Sequence, residues 1–256
     1  MDVRTGARGA DKRPAVVICH GFKGFKDWGF LPKLAERLAT AGLTAVSFNQ
    51  SGSGVRGGDV VDEPDRFARQ RPSADLADVR TVVDWVVGEG APAVGLVGHS
   101  RGGALAILHT ASDSRIRGLV TWAAITDFLS WGPDVARWRR EGRTDVTNTR
   151  TGQVLPILLD ALDDVETNRK GSLDVTAAAE RVRVPWLIIH GTGDAGVPSA
   201  VAATLAQHSG SSRGELLLLD GADHTFGIRH PWAGSTTEFD QVLERTVGWL
   251  GAALYG

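Results

Sequence analysis

Two stretches of this sequence hold a serine between glycines at the spacing G-x-S-x-G: Gly98-His-Ser100-Arg-Gly102 and Gly210-Ser-Ser212-Arg-Gly214. A serine hydroxyl attacks a carbonyl effectively only when a base takes its proton and preformed donors receive the oxyanion. Flanking glycines suit a sharp strand-to-helix bend, where the backbone is strained and neighbouring chain passes close. Context separates the two serines. Ser100 follows the apolar run Val94–Gly98 and precedes RGGALAILHTA, which reads as a helix, so its hydroxyl stands at a helix N-terminus whose dipole favours developing negative charge. Ser212 follows the polar QHSG and precedes the strand candidate ELLLLD, the wrong end of a strand for a nucleophile. Ser100 is therefore the candidate nucleophile.

Its partners are expected at the carboxyl ends of later strands, where open α/β sheets put their ligand sites. WLIIHGTGDAGVP places Asp194 just beyond one apolar run, and LLLLDGADHTF places His224 just beyond the next. In that arrangement His224 is the base and Asp194 orients its ring. Asp223 adjoins His224 but points away from it in an extended loop, and Asp127 follows an earlier strand. For the oxyanion, the backbone N–H of Arg101 is one expected donor. The second is the N–H of Phe22 in His20-Gly21-Phe22-Lys23-Gly24, with Gly21 allowing close approach.

The elements that must carry these residues are legible as short apolar runs separated by helical patterns. Ala15–Cys19, Leu43–Phe48, Ala93–Gly98, Ile116–Ala124, Val184–His190 and Glu215–Asp220 are apolar nearly throughout, as strands covered on both faces are. Leu31, Leu34, Ala35, Leu38 and Ala39 fall at helical spacing before Gly42, a C-terminal cap signal. A second helix is expected from Ser73 as N-cap to Gly88, with Leu76, Val79, Val83, Val86 and Val87 on one side. A last one runs over roughly Thr237–Leu250. Strand–helix alternation predicts a doubly wound, mostly parallel α/β sheet built from residues 1–125 and 182–256.

Residues 126–181 break the rhythm and read as an insertion long enough to cover a site. It contains Trp131, Trp138, the basic RWRR, a hairpin turn at Thr151-Gly152, and LPILLDALDDVETN, which reads as a helix. Trp131 and Trp138 either wall a substrate pocket or anchor the insertion to the body. Arg137, Arg139 and Arg140 fit an exposed helix face better than carboxylate selection.

Composition excludes several classes. The chain has 256 residues, 42% hydrophobic and 23% charged, with a formal net charge of -2. Charges of both signs are interspersed, so no basic face points to nucleic acid or an anionic membrane. The lone Cys19 gives no disulfide framework and no thiolate cluster for a metal. The glycine-rich NQSGSGVRGGDV lacks the G-K-[ST] ending of a phosphate-binding loop. The polar N-terminus and the lack of a long apolar span lead us to expect a soluble, cytoplasmic protein.

Taken together, "HGF", "GHSRGG", "HGTGDAGVP" and "DGADHTF" resemble the α/β-hydrolase superfamily, particularly its compact bacterial serine esterases of the feruloyl-esterase and dienelactone-hydrolase-like groups. The resemblance runs from about Pro14 to the C-terminus and excludes the insertion. It implies a cofactor-free carboxylesterase using Ser100, Asp194 and His224 through an acyl-enzyme, with a small cap over the pocket and a small-molecule ester as substrate. A peptidase, acylaminoacyl-peptidase-like or thioesterase activity uses the same triad and stays open, as does a non-catalytic binding protein on this scaffold. Such folds open with an antiparallel hairpin. Here only about 13 residues precede the first clear strand, so the hairpin is expected to be shortened and its edge free for a homodimer contact.

Overall fold

Apolar side chains on both faces of the central strands force the chain into one sheet with helices on each side. The computed structural model describes residues 1–6 and 12–256. Its strands are β1 (Asp2–Arg4), β2 (Ala15–Cys19), β3 (Thr44–Ser47), β4 (Val94–His99), β5 (Ile116–Trp122), β6 (Arg143–Thr147), β7 (Val154–Leu158), β8 (Trp186–Gly191) and β9 (Gly214–Leu219). The helices are α1 (Leu31–Thr40), α2 (Pro64–Ala68), α3 (Pro72–Gly88), α4 (Arg101–Thr110), α5 (Val135–Glu141), α6 (Leu159–Asn168), α7 (Val175–Ala179), α8 (Ala200–Gln207) and α9 (Thr237–Tyr255). All six strand runs expected from the sequence are present. None of the helices among the described residues is long and apolar enough to cross a membrane.

The main sheet has the order β1-β3-β2-β4-β5-β8-β9, parallel except for β1. Alternation along β2 divides its side chains between two cores. Ala15, Val17 and Cys19 join the core under α3, α4, α7 and α8, while Val16 and Ile18 join the core under α1 and α9. The buried indoles that cross these layers keep their N–H groups bonded: Trp122 donates to Thr246 Oγ1 at 2.9 Å and Trp186 to Thr121 Oγ1 at 3.0 Å. Chain order reverses between β2 and β4, since β2 runs to β3 on one side and the next crossover returns to β4 on the other. That reversal opens a crevice at the carboxyl ends of β2 and β4.

Four local details differ from the sequence expectation. The antiparallel β1 pairs with β3 through Asp2↔Ser47 and Arg4↔Ala45, so that flank of the sheet carries a short antiparallel strand. Residues 7–11 of the expected N-terminal hairpin lie outside the described residues. Helix α3 begins at Pro72 rather than after a Ser73 cap, because Asp164 of α6 accepts the Ser73 N–H at 2.8 Å and does the capping from a distant segment. Leu155–Leu158, expected to open a helix, belongs instead to the strand β7. It pairs antiparallel with β6 across the Thr151-Gly152 turn, where Gly152 has a φ of 71°. Strand pairing with β6 overrode the local helical pattern, and the helix α6 starts only at Leu159. Finally, α9 continues past Leu250 to Tyr255, whose hydroxyl donates to the Gly42 carbonyl at 2.9 Å.

Residues 126–181 are built on a third apolar cluster, in which Trp138, Val146, Leu155, Ile157 and Leu162 pack against Phe25, Val55 and Phe67 of the body.

Candidate active site

At the end of β4 the chain turns into α4 through Ser100, whose φ of 56° and ψ of -120° put a non-glycine residue in strained backbone. The flanking glycines are needed because the chain has no room there. A Cβ on Gly98 would overlap the Gly102 carbonyl, and one on Gly102 would run into the carbonyls of Cys19 and His20. Gly21 answers from the other side, where an added Cβ would lie 3.1 Å from Ser100 Cβ and 3.3 Å from the His99 carbonyl. The loop after β2 thus rests directly on the bend.

That loop is held by buried, neutral histidines. The Gln50 N–H donates to His20 Nε2 at 3.1 Å, so this ring carries its proton on Nδ1 and donates to the Gly21 carbonyl at 2.9 Å. Burial pushes His20 down to about 4. His99 is pushed down to about 3 by burial and by neighbouring His224; its Nε2 donates to the His224 carbonyl at 2.9 Å. Both rings are structural at neutral pH.

Asp194, in the loop after β8, is buried. Its Oδ1 accepts the N–H groups of Gly196 and Val197, each at 2.8 Å, and its Oδ2 accepts His224 Nδ1 at 2.6 Å. Burial raises this carboxyl, but hydrogen bonds from His190 and His224 and the Val197 N–H outweigh it and hold the group well below the ordinary carboxylate range. The permanent anion fixes the His224 tautomer with its proton on Nδ1, leaving Nε2 as the acceptor. Asp223 does turn away: its Oδ1 accepts the Thr225 and Gly227 N–H groups of its own loop.

Ser100 and His224 line one cavity of about 250 Å³, at the crevice where strand order reverses. The hydroxyl and the ring are not hydrogen-bonded in this unliganded arrangement; such contacts tighten when a substrate is seated. The backbone N–H groups of Phe22 and Arg101 have no acceptor among the described residues. The Arg101 side chain is buried behind them, with Nη1 2.6 Å from Gln70 Oε1 and Nη2 2.9 Å from Asp75 Oδ2.

Trp131 and Trp138 do not line this cavity. Trp138 is fully buried in the third cluster, and Trp131 packs on it and on Phe22, with ring centroids 5.9 Å and 6.2 Å apart. Both face a smaller pocket on the far side of the Phe22 ring. Phe22, Trp28 and Phe30 supply the aromatic lining around Ser100 instead, and the tip of the β6–β7 hairpin, Asn148 to Arg150, lies across it. Sequence reasoning missed these tip residues and Trp28. The turn itself was readable, but which way the hairpin leans depends on the packing beneath it. It also assigned His190 no part in the site, whereas Nε2 of that ring lies 3.3 Å from Asp194 Oδ2 and 2.8 Å from the Val197 carbonyl. The four-residue spacing from His190 to Asp194 was the available signal.

Similarity to known proteins agrees with this architecture. Over 119 residues the chain is 28% identical to an uncharacterised 31.7 kDa protein of the traX-finO intergenic region of Escherichia coli, a stretch that is 45% of this chain and 39% of that relative. Est1E from Butyrivibrio proteoclasticus, solved with ferulic acid bound, superposes with a TM-score of 0.80 at 17% identity, covering 100% of this chain and 95% of the other. A structure from work on LipS and LipT, two metagenome-derived lipolytic enzymes, superposes with a TM-score of 0.75 at 22% identity, over 97% and 95%. The family model described as serine aminopeptidase, S33, matches residues 10–149, which carry the loop after β2 and the Ser100 bend. By that match and this fold, the chain belongs to the α/β-hydrolase family of serine aminopeptidase, S33, type.

Proposed function

We propose that this chain is a serine hydrolase that cleaves carboxylic esters through an acyl-enzyme. The observation that carries the reading is the Asp194–His224 pair at 2.6 Å, opening onto the same cavity as a serine on a strained bend. Ser100 Oγ adds to the ester carbonyl as its proton passes to His224 Nε2, and the imidazolium is stabilised by the Asp194 carboxylate. The free N–H groups of Phe22 and Arg101 receive the oxyanion. The C–O bond to the alcohol then breaks, with His224 returning the proton to the leaving oxygen. Water, deprotonated by His224, attacks the acyl-serine, releasing the acid and restoring the hydroxyl.

Residues 126–181 serve as the cap, contributing Asn148, Thr149 and Arg150 at the cavity mouth. The family description names an aminopeptidase, and the triad chemistry would serve one. Recognition of a peptide's protonated α-amine calls for a carboxylate. The lining here carries Lys23 and Arg150 and, among the described residues, no acidic side chain. This favours an ester. The superposed Est1E, solved with ferulic acid, and the lipolytic LipS and LipT work point the same way.

The test is a screen of p-nitrophenyl esters from acetate to laurate beside aminoacyl p-nitroanilides, with the Ser100→Ala variant as control and fluorophosphonate labelling of Ser100 as the activity-independent readout. Ester turnover lost in the variant is expected. Anilide turnover exceeding every ester would replace the reading with a peptidase.

A further inference from the structure

The cavity around Ser100 is flanked by two cations from different elements. Lys23 follows the loop after β2, with a φ of 58°, and its Nζ donates to the Thr147 carbonyl of β6 at 3.1 Å. It also lies 5.7 Å from the Phe22 ring and forms no salt bridge among the described residues. Arg150 comes from the tip of the β6–β7 hairpin and lines the same cavity. Its guanidinium stacks over Phe25 at 5.4 Å, and Nη2 donates to the Asp59 carbonyl while Nη1 is 3.5 Å from Asp59 Oδ2. Asp59 is exposed and does not line the cavity. One positive charge, that of Lys23, is therefore left without a carboxylate beside an apolar, aromatic wall. Burial lowers both cations from their ordinary values, and for Arg150 Asp59 only partly offsets it. A cation held half-buried by its own scaffold is stabilised when an anion arrives.

We infer that this site takes esters bearing a second, free carboxylate, which Lys23 and Arg150 hold at the cavity mouth while the ester carbonyl meets Ser100. The inference rests on the ester-hydrolase reading and adds its substrate class. A single negative charge matches the single unpaired cation, and the guanidinium donors that Asp59 leaves free suit the planar two-oxygen fork of a carboxylate. The neutral aromatic lining then receives the carbon skeleton between the two groups.

Two matched ester pairs separate where that carboxylate sits. Monomethyl adipate against dimethyl adipate carries it on the acyl side; 4-acetoxybenzoate against its methyl ester carries it on the alcohol side. For wild-type protein at low salt, the anionic member of at least one pair is expected to have about tenfold higher kcat/KM, an advantage that shrinks as ionic strength rises. Lys23→Asn, chosen because asparagine tolerates positive φ, and Arg150→Gln should each pull that ratio toward one. Because the readout is a ratio within one variant, partial loss of folded protein does not mimic it. Cleavage of both pairs without preference, or a preference untouched by both substitutions, overturns the inference and leaves ester hydrolysis standing. Cleavage of none of the four esters by protein that turns over a p-nitrophenyl ester overturns this inference alone, and absence of turnover on the p-nitrophenyl esters as well overturns the ester-hydrolase reading with it.

Discussion

The two G-x-S-x-G segments share a pattern and almost nothing else. Around Ser100 the bend is strained, the helix behind it is buried from Arg101 to Thr110, and two glycines are flanked by carbonyls that leave no space for a Cβ. Around Ser212 the backbone has no positive φ, the side chain is exposed, and the segment simply leads into β9. Gly214 has nothing nearer to an added Cβ than Ser209 Oγ at 3.4 Å; Gly210 is as crowded as Gly98, with the Glu180 carbonyl 2.2 Å from an added Cβ, so close packing at one glycine does not by itself mark a reactive serine. A motif therefore carries chemistry only through what surrounds it. The same five-residue spacing serves a strained bend at the carboxyl end of a strand and an ordinary turn at the amino end of another.

The largest test of that contrast is a pair of alanines. Ser100→Ala should lower ester kcat by at least about 10⁴-fold, as removal of a triad nucleophile does. Ser212→Ala should leave it within about twofold. A large loss at Ser212, or retained turnover at Ser100, would reverse the assignment. Next in size is Asp194→Asn, which leaves His224 without an anion to hold its tautomer and is expected to cost about 10³- to 10⁴-fold in kcat with little change in KM. A loss confined to KM would instead mean that Asp194 acts on binding.

Packing distinguishes the segments as well. Gly102→Ala should destabilise the fold by about 2–4 kcal/mol or prevent its accumulation, because the new Cβ meets backbone that cannot move aside. Gly214→Ala should change stability by no more than about 0.5 kcal/mol. Chemical denaturation of the two variants side by side measures the difference.

The smallest effect concerns the buried Arg101–Asp75 pair that backs the first segment, whose counterpart at the second is the exposed Arg183. Burial pushes the Asp75 carboxyl up to about 6, the Arg101 charge only partly countering it. In the unfolded chain this carboxyl titrates near 3.8. Between those values the folded state binds the extra proton, so this contribution to stability is full below about 4 and declines as pH rises toward 6. The difference in Tm between wild type and Asp75→Asn should accordingly fall as pH rises from 4 to 6 and then level off. A difference that grows over this range would show the pair to be net stabilising when ionised.

The architecture was largely written in local pattern. Apolar runs such as Ala15–Cys19 and Trp186–Gly191 need partners on both faces wherever they lie, and glycines beside Ser100 declare close backbone contact before any contact is known. The failures were long-range in origin. Asp164 caps α3 from 91 residues away, so Ser73 looked like the cap. Leu155–Leu158 took a strand because β6 was there to pair with it.

Residue order and spacing alone were enough to settle which serine follows a strand, that an aspartate and a histidine follow two later ones, and that the sheet is parallel and doubly wound. These are properties of a backbone with periods of 2 and 3.6 residues and of turns that need glycine, and each is contained within a few positions. Folding in three dimensions was required to bring His190 against Asp194, to bury Trp138 rather than open it to substrate, and to bring Arg150 and Lys23 to one cavity. Those relations join residues up to 127 positions apart through a packed core, and no local spacing encodes the direction in which a hairpin leans.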